Sequence, residues 1–333
     1  MKRRSFLKRT AAAAIGLPFL GCAEGAGAAV SPNEKLNIGF IGTGGQAKFS
    51  LDHLAGENIV ALCDIDATRL AEARQRFPNA AAYADFRRLV DQPGIDAIVV
   101  ATPDHTHAVA AVAALQTGRH LYCEKPLART ISETRIITET ARKYKRVTQL
   151  GTQIHAGNNY RRVAELVQSG AIGPVREVHV WVNSSYGGLP KPKPAPVPAH
   201  LDYDLWIGPV QPQPYSPDFV PFGWRNWWAF GGGSLADFGC HYMDLPHWAL
   251  GLSAPLSAEP VDGPPVDPDS PPPWLIVRYE YPARGAKPPV TLTWYHGGKH
   301  PEWVKGDLYN SWKSGVEIAS PSDSDVVPRH LMS

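Results

Sequence analysis

Cysteine is scarce, with four in 333 residues, and no two form a CxxC pair. That excludes a disulfide-stapled scaffold and leaves no basis for a structural zinc site. Cys63, Cys123 and Cys240 lie within apolar stretches and read as buried thiols. No apolar run reaches the roughly 18–20 residues a membrane-spanning helix needs. Neither charge sign dominates: 33 basic against 31 acidic residues give +2, and even this comes from the N-terminus. Removing Lys2, Arg3, Arg4, Lys8, Arg9 and Glu24 leaves 28 against 30, about −2. A nearly neutral body argues against nucleic acid as a partner. No internal repeat is found. What the chain does have is 44% hydrophobic residues with 19% charged, enough for a sizeable core. Its 32 prolines and 30 glycines predict long loops, among them a polyproline-like stretch over 191–198. The length fits two domains of ordinary size.

The first thirty residues read as an export signal. Arg3-Arg4-Ser5-Phe6-Leu7-Lys8 resembles the twin-arginine motif, and a short apolar stretch, Ala11 to Leu20, follows. Two processing routes compete. Phe19-Leu20-Gly21-Cys22 resembles a lipoprotein box that would anchor the chain at Cys22, whereas Ala26-Gly27-Ala28 fits soluble release. The expectation is export through the twin-arginine machinery to the periplasm or cell envelope.

The mature chain opens on a nucleotide fold. Leu36 to Ile41 is an apolar run ending at Gly42-Thr43-Gly44-Gly45-Gln46-Ala47, and helix-compatible sequence follows. Strand, glycine turn and helix in this order suit a dinucleotide: Gly42 permits the turn and Gly44 lets the backbone approach a pyrophosphate. A second run, Ile59 to Cys63, ends at Asp64, 22 residues after Gly42. A carboxylate there accepts from ribose hydroxyls and repels a 2′-phosphate, favouring NAD over NADP. Asp64 could instead cap the next helix together with Asp66. Helices over 67–77 and 86–91 and from Ala108 to Gly118, with strands over 95–101, 120–123 and 147–150, continue the alternation of a parallel sheet. Thr130 and Glu133 form a capping box for a helix to about Tyr144.

In the second half, stretches over 171–182, 274–281 and 290–295 alternate as strands, with a helix over 158–169. Asp237 and His241 are spaced i, i+4, with Asp244 close behind, which suits a general base held by a carboxylate. Metal binding by such a pair lacks a third ligand at motif spacing, so no metal is expected. Lys125, fixed between Glu124 and Pro126 at a strand end, could orient a substrate oxygen. Trp224, Arg225, Trp227 and Trp228 suit stacking on a sugar face or, equally, sheet packing; Arg225 has the better claim to a pocket.

Taken in order, Gly42-Thr43-Gly44-Gly45, Asp64, Ala101 to His107, Glu124-Lys125-Pro126, Gly151-Thr152-Gln153 and Gly231 to His241 resemble the Gfo/Idh/MocA oxidoreductase family. The stretches 201–208 and 222–228 resemble its exported bacterial branch. The resemblance implies an α/β chain: a signal segment over 1–30, a Rossmann domain over 35–152, a C-terminal α+β domain with a largely antiparallel open sheet over 153–318, and a polar tail over 319–333. It implies that Gly42, Thr43, Gly44, Gly45, Gln46, Asp64, Thr102, Pro103, His107, Glu124, Lys125 and Gln153 contact the cofactor. It makes Lys125, Asp237 and His241 catalytic, with Trp224, Arg225 and Asp244 toward substrate. His105 reads as solvent-facing. Exported relatives continue with further strands, so the second sheet is expected to be incomplete, which bears on activity and on a homo-oligomer through that sheet.

The function this implies is hydride transfer between bound NAD and a secondary hydroxyl of a sugar or cyclitol. One alternative keeps NAD bound and cleaves a glycoside by transient oxidation and elimination. The other is a non-catalytic nucleotide- or sugar-binding relative.

Overall fold

The computed structural model describes residues 35–304 and 314–319. The export segment and, Ala319 apart, the polar tail lie outside the described residues.

Six strands form the first sheet: β1 (Asn37–Ile41), β2 (Asn58–Cys63), β3 (Ala81–Tyr83), β4 (Ala97–Val100), β5 (His120–Glu124) and β6 (Thr148–Gly151). Their order is β3-β2-β1-β4-β5-β6 and every pairing is parallel. Helices α1 (Ala47–His53), α2 (Ala67–Arg76), α3 (Phe86–Val90), α4 (Asp104–Gln116) and α5 (Ile131–Tyr144) connect them. A sheet buried on both faces needs apolar residues at consecutive positions. Along β4, Ile98 and Val100 enter one buried cluster and Val99 the other. The capping box on α5 is formed: Glu133 N donates to Thr130 Oγ1 at 3.2 Å and Thr130 N to Glu133 Oε2 at 2.9 Å. Reversal of the sheet order at β1 brings the ends of β1, β4 and β5 together, which is where such folds bind ligand.

The second sheet contains β7 (Glu177–Val182), β8 (Ser257–Asp262), β9 (Leu275–Tyr281), β10 (Val290–His296) and β11 (Gly315–Ala319), in the order β11-β7-β10-β9-β8. It is mixed, because β7 and β10 run parallel while the other three pairings are antiparallel. Helices α6 (Asn158–Gln168), α8 (Gly233–Tyr242) and α9 (Asp244–Leu250) cover one face; α7 (Tyr203–Ile207) lies elsewhere, in an aromatic cluster. Tyr160, Val163, Ala164 and Val167 give α6 a buried stripe at helical spacing, packed with Val178, Val180, Leu292 and Trp294 of the sheet. Two strands of this sheet escaped the sequence reading. All six residues of β8 are exposed, so no alternation marks it, and β11 carries a buried glutamate, Glu317. With β11 paired to β7 the sheet has five strands, the last of them ending at Ala319.

Candidate active site

Gly42 has φ +90°, and a Cβ there would lie 2.5 Å from the Ala101 carbonyl oxygen. Only glycine lets β1 turn this close against the end of β4. Next along, Thr43 fixes Asp64: its N and Oγ1 both donate to Asp64 Oδ2, at 2.8 and 2.9 Å. Asp66 N donates to the other oxygen at 3.0 Å. Asp66, rather than Asp64, caps α2 by accepting from Thr68 and Arg69 amides. Asp64 is therefore buried at the floor of a groove lined by Gly42, Gly44, Arg69, Thr102 and Pro103. The guanidinium of Arg69 lies over Gly44, where a Cβ would be 2.9 Å from its Nη1. A side-chain-free glycine floor, a carboxylate and a cation fit a dinucleotide. Gly42 gives room to the end of β4 and Gly44 to Arg69, whose cation would meet the phosphates, and Asp64 would hold the adenosine ribose.

The groove shares Ala101 and Thr102 with a second cavity of about 200 Å³, lined also by Gln46, Asp104, Glu124, Lys125, Gln153, Phe222, Trp224, Arg225, Asp237 and His241. Lys125 Nζ donates to Asp237 Oδ1 at 2.5 Å and to the Asp237 carbonyl at 2.8 Å. Arg225 Nε lies 3.3 Å from the same Oδ1, in ion-pairing range but not aligned for a hydrogen bond. The Arg225 guanidinium stacks on Trp224 at 4.1 Å and Phe222 at 4.4 Å, which pins it. Burial alone would raise the Asp237 carboxyl, but Lys125 and Arg225 outweigh it and hold the group below the usual carboxylate range. One turn along α8, His241 is pushed down to about 4 by burial and then by Lys125, against Asp237. Its ring is neutral at neutral pH and able to accept a proton. Its Nδ1 is buried without a hydrogen-bond partner among the described residues. Behind it, Tyr160 OH donates to the His241 carbonyl at 2.9 Å and braces the helix. Glu124 is buried in the cavity wall, with Ser50 Oγ donating to it at 3.4 Å and its Oε2 unpaired among the described residues. Burial raises its pKa.

The model of an oxidoreductase family with an NAD-binding Rossmann fold (Gfo/Idh/MocA) matches residues 36–152, and that of its C-terminal alpha/beta domain matches residues 157–317. The chain belongs to this family. An inositol 2-dehydrogenase of Saccharopolyspora erythraea is 33% identical over 153 residues, 43% of this chain and 44% of the relative. An alpha-N-acetylgalactosaminidase of Shewanella oneidensis is 28% identical over 199 residues, 51% of this chain and 43% of the relative. These matches span less than half the length of either curated relative. Among solved structures, the WlbA dehydrogenase from Bordetella pertussis, in complex with NADH and UDP-GlcNAcA, superposes with a TM-score of 0.63 at 18% identity. That match covers 86% of this chain and 76% of WlbA, and it establishes likeness of fold.

Against the pattern of this Gfo/Idh/MocA protein, three sequence expectations need correction. His107 is not in the groove. It is 1% exposed, with Nδ1 2.7 Å from the Pro126 carbonyl and Nε2 2.8 Å from that of Thr102. It ties together the loops that carry Thr102 and Lys125, because α4 begins at Asp104 and turns position 107 toward β5. His105 does not face solvent either: it is 1% exposed, with Nε2 2.7 Å from the Trp206 carbonyl. Asp244 points away from the cavity. It pairs with His155 Nδ1 at 2.7 Å, and that ring stacks on Trp248 at 4.2 Å. The break between α8 and α9 turns it off the face shared by Asp237 and His241. Trp227 belongs to an aromatic cluster with Trp206, Phe219 and Phe230, and Trp224 both joins it and lines the cavity. Gly45 and Gln46 are exposed at the start of α1, and Gln46 reaches the cavity rim. Sequence reasoning missed Asp104, a buried carboxyl in the cavity. Its signal was an acidic residue in the first helical turn directly after the strand-end Thr102-Pro103.

Proposed function

We propose that this protein is an NAD-dependent oxidoreductase that transfers hydride between bound NAD and a secondary hydroxyl of a sugar or cyclitol. The carrying observation is Asp237 held by Lys125 one helical turn from a neutral His241, in a cavity opening onto the glycine-floored groove. Lys125 and Asp237 position the alcohol oxygen. His241 accepts the hydroxyl proton, which lets the carbon give up hydride and become a carbonyl. Bound NAD supplies the hydride acceptor. Arg225, stacked on two rings, holds the ionised Asp237 in place and leaves no slack in the pair. Similarity to an inositol dehydrogenase supports a polyol substrate. The test is NADH absorbance with a panel of sugars and cyclitols. NADH formed from at least one polyol is expected, and its absence across the panel would overturn the assignment.

The redox-neutral alternative draws support from the likeness to an alpha-N-acetylgalactosaminidase. It requires glycoside cleavage without added NAD and without net NADH, which the same panel extended to aryl glycosides distinguishes. We also propose export by the twin-arginine route to the periplasm or cell envelope, on the Arg3-Arg4 motif. Replacing both arginines with lysine should trap the protein in the cytoplasm. A homo-oligomer through the second sheet is proposed on the exposed edge strand β8; sedimentation analysis decides it.

A further inference from the structure

Asp104 is the cavity carboxyl that neither the glycine turn nor the Lys125 pair accounts for. It opens α4 directly after Pro103, is 5% exposed, and lines the same cavity as Lys125, Arg225, Asp237 and His241. The neighbouring carboxylate has already claimed both cations: Lys125 Nζ at 2.5 Å and Arg225 Nε at 3.3 Å converge on one oxygen of Asp237. Besides Glu124, a further buried carboxylate in about 200 Å³ would face Asp237 with no ion-pairing cation among the described residues. An uncompensated buried charge is costly, and the usual escape is to keep the proton. We propose that Asp104 stays a neutral carboxylic acid at neutral pH and donates its O–H to a substrate oxygen next to the reacting hydroxyl, selecting vicinal polyols. This rests on the oxidoreductase reading above.

The surroundings agree. From α8, Asp237 opposes its ionisation, while the Cys240 thiol is pushed up to about 11 by burial and His241 is neutral. From β5 and its end come the neutral Cys123 thiol, the raised Glu124 and the cation Lys125. Arg225 adds a second cation, and His107 on the same helix is pulled down by burial. Lys125, Arg225 and the helix amide favour the charged form of Asp104, but burial and then Asp237 outweigh them and push it up to about 8. A neutral acid is a donor that Asp237, ionised and facing two cations, cannot be. The cavity thus offers an acceptor in Asp237 and a donor in Asp104, a complement to two adjacent hydroxyls.

Two variants separate donation from charge. Asp104→Asn keeps the shape and an N–H donor, and Asp104→Ala removes both. The Asn variant should keep kcat/KM within a few-fold at neutral pH, and the fall in activity expected of the wild type as pH rises through about 8 should be absent from it. The Ala variant should lose about tenfold, through KM, on a vicinal diol and little on the matching deoxy substrate. Infrared titration of the NAD-bound protein should show a protonated-carboxyl band at pH 7 that is absent from the Asn variant. That arm is read without turnover, so its failure is distinct from failure of the oxidoreductase reading. No such band, or an Asn variant as impaired as Ala, would overturn the proposal.

Discussion

Lys125 and Asp237, 112 residues apart in sequence, meet through a 2.5 Å hydrogen bond that closes the cavity between the two domains. The two side chains are 13% and 10% exposed, so the pair is buried. Removing one partner of a buried pair leaves the other uncompensated, which costs about 3–5 kcal/mol. Asp237→Ala should lower stability by about that amount, and Lys125→Ala by less, because Arg225 remains beside Asp237. Denaturant unfolding measures both.

The same pair has a definite pH dependence. The folded-state pKa of Asp237 is depressed, so its contribution to stability is present above the ordinary carboxylate range and is lost as pH falls from there through the lower folded-state value. The stability gap between the wild type and Asp237→Asn should be widest near pH 7 and shrink on acidification. A gap that widens in acid would contradict the assigned charge state.

Cofactor choice turns on Asp64 and Arg69. Arg69 follows Asp64 by five residues, and its guanidinium rests on Gly44. A 2′-phosphate next to Asp64 should still cost on the order of 1–3 kcal/mol, about tenfold to a hundredfold in affinity. Calorimetry should therefore find NAD bound more tightly than NADP. Asp64→Ser should bring NADP to near parity, because Arg69 is placed to meet the phosphate, and adding Arg69→Ala should remove that gain.

Gly42→Ala places a Cβ 2.5 Å from the Ala101 carbonyl at φ +90°. Strain at such a backbone position costs about 1–3 kcal/mol. The variant should melt earlier and lose most of its NAD affinity, both readable in one thermal-shift series with and without NAD.

Much of the first domain was legible because a parallel sheet buried on both faces writes itself as apolar runs, and glycines mark its turns. Helix α4 was read as starting at Ala108, since Asp104, His105 and His107 look like loop residues. They are in fact helical and buried: His105 Nε2 and both ring nitrogens of His107 face carbonyls, and Asp104 lines the cavity. The second sheet was half legible. Alternation marked β7, β9 and β10, but β8 is exposed throughout and owes its place to pairing with β9. In the cavity, the i, i+4 spacing announced Asp237 with His241. No local pattern announces a contact across 112 residues, and family resemblance supplied Lys125. Asp244 misled because spacing along one helix was assumed to continue past Met243, where α8 stops.

In the proposed reaction His241 takes the hydroxyl proton, and the His241→Ala variant probes that step. NAD affinity of the variant is measured by calorimetry, and NADH formation is followed with the best polyol substrate of the wild type. Unchanged NAD binding and a fall in kcat of about a hundredfold or more are expected. Turnover close to the wild-type rate in that variant would contradict that role.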